Sequence, residues 1–178
     1  MSSKETLLAR LQEPSTRNEA FAEVVRTHSR QLYMQIRRLV TWHDDADDVL
    51  QNTFIKAWQA LDSFRGDSQI STWLYRIAMN ESLTYLQKRS MEQTVSDNDA
   101  MAHDLAADPY FDGEKAEQLL QEAIEHLPEK QRLVFCMKYF DGQKYEEMSQ
   151  ILGTSVGALK ASYHIAVKKI ESYFEDAD

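Results

Sequence analysis

The sequence predicts an all-α protein made of two small helical domains joined by an acidic linker. Only 5 glycines and 3 prolines occur in 178 residues, too few for the many tight turns of a sandwich or a barrel. Apolar residues recur with a period of about 3.6, and no segment alternates as a strand would. One polar, acidic stretch, residues 90–117, interrupts the helical pattern.

Composition places the chain among globular proteins. Hydrophobic residues are 43% and charged residues 28%, whereas a disordered chain would have fewer apolar residues. Cys136 is the only cysteine, so an intramolecular disulfide is excluded, and its apolar neighbours favour a buried, inert thiol. That apolar run, residues 133–137, is too short to cross a membrane, and residues 1–5 lack the apolar core of a signal peptide. We therefore expect a cytoplasmic protein with no direct membrane insertion.

Helical spacing defines three segments before the acidic stretch and four after it. The apolar residues of the first three are Phe21, Val24, Val25, His28, Leu32, Ile36 and Leu39, then Ala46, Val49, Leu50, Phe54, Ala57, Trp58 and Leu61, then Trp73, Leu74, Ile77, Ala78, Tyr85 and Leu86. Those of the last four are Ala116, Leu119, Leu120, Ala123, Ile124 and Leu127, then Leu133, Val134, Met137 and Phe140, then Tyr145, Met148, Ile151 and Leu152, then Val156, Leu159, Tyr163, Ala166, Val167, Ile170 and Tyr173. Each set falls on one face of an amphipathic helix.

The stretch 90–117 holds eight acidic side chains and one lysine, which is −7 of the net charge of −9. Such a segment is typical of a solvated linker, the interpretation we favour, although a polyanionic segment could also run through a basic channel of a partner. The predicted domains are 1–90 and 115–178, with a flexible acidic linker over 91–114. The remaining charge of −2 does not exclude nucleic-acid binding by one end, but it argues against strong, autonomous, non-specific DNA binding.

Residues 145–170 predict a helix-turn-helix, with Tyr145–Leu152 as the short first helix and Val156–Ile170 as the second. Gly153 suits the turn between them, and Ser155 suits an N-cap. This geometry places a recognition helix in the major groove of DNA. The outward positions of the second helix are Ser155, Ala158, Lys160, Ala161, Ser162, His164 and Lys168. From this segment alone, an αα-hairpin without a DNA role is as well supported as a DNA-binding helix-turn-helix.

Four aspartates surround the helix start between Trp42 and Val49. Carboxylates there are typical of compensation of the helix dipole. A metal site built from His43 and Asp44, with His28 upstream, is a weaker alternative, because the further ligands of a metal-dependent phosphohydrolase are not visible. A third interpretation is a protein-docking strip, and its members recur at helical spacing: Asp45, Asp48, Gln51, Asn52 and Lys56. We expect no metal and no other cofactor.

A polar glycine loop, residues 61–72, leads into a helix rich in aromatic residues that also carries Arg76. Aromatic, cationic and amide side chains together suit single-stranded nucleic acid, because bases stack, phosphates pair and base edges are read. Trp73 falls on the apolar face and is expected in the core, whereas for Tyr75 both a core position and a nucleic-acid contact stay open. Phe64, in the loop, is expected to be exposed and available for stacking.

In three motifs the chain resembles bacterial sigma-70-family initiation factors of the compact extracytoplasmic-function (ECF) group. Residues 44–58 resemble the region 2.1–2.2 helix that docks on the β′ clamp helices of RNA polymerase. Residues 64–80 resemble regions 2.3–2.4, which melt and read the −10 element. Residues 127–132 and 145–169 resemble region 4, which reads the −35 element. In this order and spacing the motifs are highly specific.

The resemblance implies a σ2-like helical bundle and a σ4-like helix-turn-helix in a protein that is not an enzyme and has no catalytic residues. Its docking strip would bind bacterial core RNA polymerase, and its other two motifs would bind promoter DNA. The implied −10 contacts are Phe64, Arg65, Ser68, Gln69, Ser71, Thr72, Arg76 and Asn80. The implied −35 contacts are Thr154 and the outward positions of the second helix.

The resemblance also implies an anti-sigma factor as partner, because ECF factors are usually held inactive by one. Ser162 and Ile165 occupy positions where family members often carry Arg, which implies fewer charged −35 contacts and leaves Lys160 and His164. Two alternatives stay open. A conventional regulator would bind duplex DNA without polymerase, as a dimer on paired half-sites, which the loop motif disfavours. A phosphohydrolase would need bound metal.

Overall fold

The computed structural model describes residues 3–95 and 115–177, and every regular element in those stretches is helical. Within them the α-helices are α1 (Ser3–Gln12), α2 (Arg17–Arg37), α3 (His43–Gln59), α4 (Ile70–Val95), α5 (Lys115–Glu125), α6 (Glu129–Tyr139), α7 (Tyr145–Leu152) and α8 (Val156–Ala177). A short 3-10 helix, Leu61–Ser63, lies between α3 and α4. The predicted all-α class is confirmed.

The chain divides into two compact units, Met1–Ser82 and Leu83–Asp178, so the division falls inside α4. α4 continues to Val95, past residue 91 where the acidic linker was predicted to begin. Most of that linker lies outside the described residues, and the predicted domain boundaries stay predictions. Across the two described stretches, no helix is long and apolar enough to cross a membrane.

In the first unit, α2 and α3 form an antiparallel pair. Phe21, near the start of α2, meets Trp58, near the end of α3, with ring centroids 5.1 Å apart. Tyr33, near the end of α2, meets His43 at the start of α3, with centroids 5.7 Å apart. The predicted apolar faces are largely buried, and their buried members include Val24, Leu32, Ile36, Leu39, Ala46, Val49 and Ala57.

The first helix, α1, was not predicted from the sequence. It spans ten residues and packs on α2, with Leu11 only 1% exposed. The Arg17 Nε donates a hydrogen bond to the Leu11 carbonyl at 2.9 Å. The Thr16 Oγ1 donates to the Arg10 carbonyl at 2.8 Å. Side chains of the following turn therefore hold the end of α1 in place.

In the second unit, α5, α6 and α7 all pack against α8. The core takes side chains from each helix and includes Ile124, Leu133, Val134, Met137, Met148, Leu159, Ala166 and Ile170. Burying one large apolar side chain stabilises a fold by about 1.5–3 kcal/mol. Cys136 is 2% exposed, which confirms the predicted buried thiol. α8 runs on to Ala177, beyond its predicted end at residue 170.

Candidate nucleic-acid interface

The turn between α7 and α8 has the conformation that a helix-turn-helix needs. Gly153 ends α7 with φ 64° and ψ 25°, a left-handed conformation that glycine adopts without strain. Its N–H donates to the Ser149 carbonyl at 2.9 Å. The Ser155 Oγ then accepts a hydrogen bond from the Ala158 N–H at 3.3 Å, as an N-cap does. The chain therefore leaves one helix and enters the next through a short, well-defined turn.

α8 buries one face and exposes the face expected to meet DNA. Leu159, Ala166 and Ile170 are buried within the second unit. The exposed candidates are Ser155, Ala158, Lys160, Ala161, His164 and Lys168, while Thr154 and Ser162 are half-buried. Ile165 is 45% exposed on the same helix. α8 thus presents most of the expected side chains outward, with Ser162 as the exception among the predicted outward positions, and their contacts with DNA stay predictions.

Two residues outside the expected set adjoin this face. The Tyr145 ring, at the start of α7, has the Nζ of Lys138 4.7 Å and the Nζ of Lys160 5.7 Å from its centroid. Both are cation–π distances, so one ring holds two ammonium groups. Burial raises the pKa of the Tyr145 hydroxyl above 10.0, and it therefore stays protonated at neutral pH. A contact among α6, α7 and α8 leaves no signal in sequence spacing, which is why Lys138 and Tyr145 were missed.

The loop before α4 differs from the prediction at Phe64. This side chain is 7% exposed and its ring centroid lies 4.9 Å from that of Trp73, so the expectation of an exposed stacking ring was wrong. The cause is Trp73 itself, which is half-buried and offers its ring to the loop. Arg65, Asp67 and Gln69 are exposed, and the residues between them are half-buried. The loop therefore presents polar side chains outward and an aromatic ring inward.

The first turns of α4 carry the other −10 candidates. Thr72 and Asn80 are exposed, while Ser68, Ser71 and Arg76 are half-buried. Thr72, Arg76 and Asn80 recur every four residues and therefore share one face of α4. The Asn80 Nδ2 donates to the Arg76 carbonyl at 2.9 Å. Tyr75 is 4% exposed and lies in the core, whereas Trp73, which was expected there, is half-buried.

The predicted docking strip runs along α3. Asp48, Gln51, Asn52 and Lys56 are exposed, and Asp45 is half-buried. The Lys56 Nζ pairs with the Glu81 Oε1 of α4 at 2.5 Å. Ile55 is 49% exposed and Trp58 40% exposed on the same helix. Trp58 was expected on the buried face, but it is partly exposed near the end of α3, where its ring makes an edge contact with that of Phe21.

The polar cluster at the start of α3 makes hydrogen bonds within the first unit. The Nδ1 of His43 hydrogen-bonds to the Tyr33 hydroxyl, and its Nε2 lies 3.3 Å from the Asp47 Oδ2. His28 lies half-buried on α2, and burial lowers the pKa of its imidazole. Among the residues that the structure describes, no three His, Cys, Asp or Glu side chains gather as metal ligands would. The metal hypothesis therefore gains no support.

Together these features describe a helical protein that carries a helix-turn-helix in its second unit and a polar loop in its first unit. Residues 24–91 match the profile of Sigma-70 region 2, and residues 117–170 match that of Sigma-70, region 4. The chain belongs to the sigma-70 family, in its ECF group. It is a non-enzymatic sigma factor that directs promoter-specific transcription initiation with RNA polymerase.

Relatives and solved structures agree with this assignment. The chain is 36% identical to the ECF RNA polymerase sigma-E factor of Escherichia coli (strain K12) over 143 residues, covering 72% of this chain and 73% of the relative. It is 31% identical to the RNA polymerase sigma-H factor of Pseudomonas aeruginosa over 168 residues, covering 85% and 84%. The sigma factor RpoE in complex with the anti-sigma factor NepR from Bartonella quintana has a TM-score of 0.70 at 27% identity, over 87% of this chain and 96% of that one. CnrH in complex with the cytosolic domain of CnrY has a TM-score of 0.66 at 25% identity, over 99% of both chains.

Proposed function

We propose that this sigma factor reads promoter DNA at two places. α8 enters the major groove of the −35 element, and the loop with the start of α4 holds the melted −10 strand. The observation that carries this proposal is the outward polar face of α8, set by the Gly153 turn and the Ser155 cap. The profile matches support the same division, since region 4 spans α7 and most of α8 while region 2 spans the loop.

At the −35 element, recognition would come from close approach of α8 to the bases and from a few hydrogen-bond donors on that helix. Ala158 and Ala161 are exposed and small, so they leave room for base edges. Lys160 and His164 are exposed on the same helix and can donate to guanine or to phosphate. The Lys160 ammonium lies over the Tyr145 ring, and this contact limits the orientations that the Lys160 side chain adopts.

At the −10 element, the buried Phe64 supports the loop and polar side chains hold the base. Unstacking one base costs a few kcal/mol, roughly, which hydrogen bonds in the capturing loop have to offset. Arg65 and Gln69 are exposed and can donate such bonds. The strand would continue along the face of α4 that carries Thr72, Arg76 and Asn80.

Core RNA polymerase docks on α3 in this proposal. Asp48, Gln51 and Asn52 supply polar contacts along one exposed strip. The exposed Ile55 and Trp58 add apolar area to it. Aromatic anchors with polar neighbours are typical of the energetically important part of a protein interface.

An anti-sigma factor is the proposed regulatory partner. RpoE from Bartonella quintana was solved in complex with the anti-sigma factor NepR, and CnrH was solved in complex with the cytosolic domain of CnrY. By extension to this chain, a partner of that class would cover the polymerase-docking or DNA-reading surfaces. The proposal also places the protein in the cytoplasm, where polymerase and promoter DNA are found.

The decisive experiment uses core RNA polymerase with this chain and a pool of random duplex DNA. We expect stoichiometric co-elution of the chain with polymerase on a sizing column. The resulting holoenzyme should then enrich DNA with two separated blocks of fixed sequence. Enrichment of one block only, or equal enrichment by the chain without polymerase, would contradict the two-site proposal and favour a conventional regulator.

A further inference from the structure

The N-terminal helix α1 touches the loop that the proposed function assigns to the −10 strand. Gly66, in the middle of that loop, has φ 78°. A Cβ placed on it would lie 2.6 Å from the Leu8 Cδ2, and all three of its nearest heavy atoms belong to Leu8. The side chain of Leu8 therefore rests directly on the loop backbone, and a Cβ at residue 66 would force that side chain to shift.

A second tie joins α1 to the same loop. The Arg17 Nη2 donates to the Asp62 Oδ1 at 2.7 Å, in the 3-10 helix that leads into the loop. The Nε of the same guanidinium donates to the Leu11 carbonyl at the end of α1. Because Asp62 is 78% exposed, this ion pair adds little stability, and its guanidinium links the end of α1 to the 3-10 helix.

These two ties lie on opposite sides of Phe64 in the chain. Phe64 packs on Trp73, and Gly66 packs on Leu8, so both inward positions of the loop are held. The outward side chains of Arg65 and Gln69 take their directions from this backbone. A loop held at its inward positions is preorganised, which lowers the entropic cost of capturing a base.

We propose that α1 positions the −10 loop, with Leu8 as the positioning residue. The Sigma-70 region 2 profile begins at residue 24, so α1 lies outside the part of the chain that carries the family match. The inference rests on the proposed role of the loop in −10 binding. It adds that the N-terminal helix sets the affinity for the melted strand without touching it.

The first test measures strand affinity in the holoenzyme. The probe is a fluorescent single-stranded oligonucleotide with the −10 sequence that wild-type holoenzyme selects from a random pool. Leu8→Ala should weaken its binding about tenfold, because small misplacements of binding groups are costly. Leu8→Met keeps a long apolar side chain and should restore binding to within about twofold. Leu7→Ala is the matched control in the same helix and should also stay within about twofold of wild type.

A double-mutant cycle tests the contact itself. Asn tolerates a positive φ better than most residues, so Gly66→Asn mainly adds a Cβ that collides with Leu8. Gly66→Asn should weaken strand binding, and adding Leu8→Ala should recover part of the loss. Strictly additive losses would show that the two residues do not act on each other, and would overturn the proposal.

Two further readouts separate a positioning role from general damage. Core-polymerase affinity and −35 duplex binding should be unchanged in Leu8→Ala, and equal loss of all three activities would overturn the proposal. Hydrogen exchange of the backbone amides of residues 64–69 should speed up in Leu8→Ala, but not in Leu7→Ala. If wild-type holoenzyme shows no affinity for the strand, the proposed −10 role fails. The exchange experiment then still decides whether Leu8 fixes the loop.

Discussion

Among the outward side chains of α8, Lys160 places its ammonium over the Tyr145 ring, 5.7 Å from the ring centroid. We expect Lys160→Ala to weaken −35 duplex binding by about 1–3 kcal/mol if the lysine reads a base. If it holds a phosphate, the slope of log affinity against log salt should flatten by about one unit. Titration of a −35 duplex into holoenzyme at several salt concentrations measures both quantities.

The matched control for that experiment is Lys169→Ala. Lys169 is an exposed lysine of the same helix that is not among the expected −35 contacts. Its removal takes away the same charge and should leave the affinity for the −35 duplex nearly unchanged. If Lys160→Ala behaves like Lys169→Ala, then Lys160 is not part of the −35 site.

His28 gives the first unit a pH dependence whose sign is defined. Burial lowers the pKa of this imidazole below 6.5 in the folded chain, so the unfolded chain binds the proton more tightly. The contribution to the free energy of unfolding is therefore present above pH 6.5 and is lost as the pH falls through the lowered pKa. We expect wild type to lose more stability than His28→Gln over that range in urea unfolding. Equal losses would show that His28 titrates alike in both states.

At the scale of elements, the turn before α8 and the first turn of α8 each contain a glycine, and replacing each by alanine should change stability in opposite directions. Gly153 has φ 64°, so Gly153→Ala should lower the free energy of unfolding by about 1 kcal/mol. Gly157 lies inside α8, where an added Cβ meets no atom within 4 Å. Gly157→Ala should raise that free energy by about 0.5–1 kcal/mol. Denaturant unfolding of both variants checks the signs, and equal signs would contradict the assignment of the turn.

The helix α3 carries the prediction for polymerase docking. Asp48→Arg and Gln51→Ala should each weaken binding to core RNA polymerase by about tenfold or more, because they remove or reverse contacts at the interface. Helicity measured by circular dichroism should be unchanged, since both side chains are exposed. Gln59→Ala, at the end of the same helix, serves as the control. Normal polymerase affinity in both test variants would show that core RNA polymerase docks elsewhere on the protein.

Elements with long apolar faces could be predicted from the sequence, whereas contacts between distant segments could not. α2, α3 and α8 show an apolar period close to that of a helix over many turns, which the amphipathic pattern detects directly. α1 was missed because three leucines are the only large apolar side chains in it, and its stability comes from packing on α2.

The same limit applied to the candidate site. Apart from Ser162, which is half-buried, the outward positions of α8 were predicted correctly, because one buried stripe fixes the opposite face of a helix. Phe64 was misjudged because its partner Trp73 lies across a turn, and the loop sequence alone is polar. The Leu8–Gly66 contact joins residues far apart in the chain, and only the folded first unit reveals it.

For the whole molecule, net charge sets how DNA binding depends on polymerase. The chain carries −9, and a DNA-binding protein that acts alone normally presents a basic surface. We expect the isolated chain to bind promoter duplex at least about 100-fold more weakly than the holoenzyme does near physiological salt. Fluorescence anisotropy with and without core polymerase measures the ratio. Tight promoter binding by the chain alone would contradict this expectation.

Because Cys136 is buried, the reactivity of its thiol reports local unfolding of the second unit. As the only thiol in the chain, and 2% exposed, it reacts with a maleimide only when α6 is uncovered. The labelling rate of the unmodified protein therefore counts those openings, and ligands that tighten the unit slow the reaction. The same shielding lets one introduced surface cysteine carry a dye without competition from the native one.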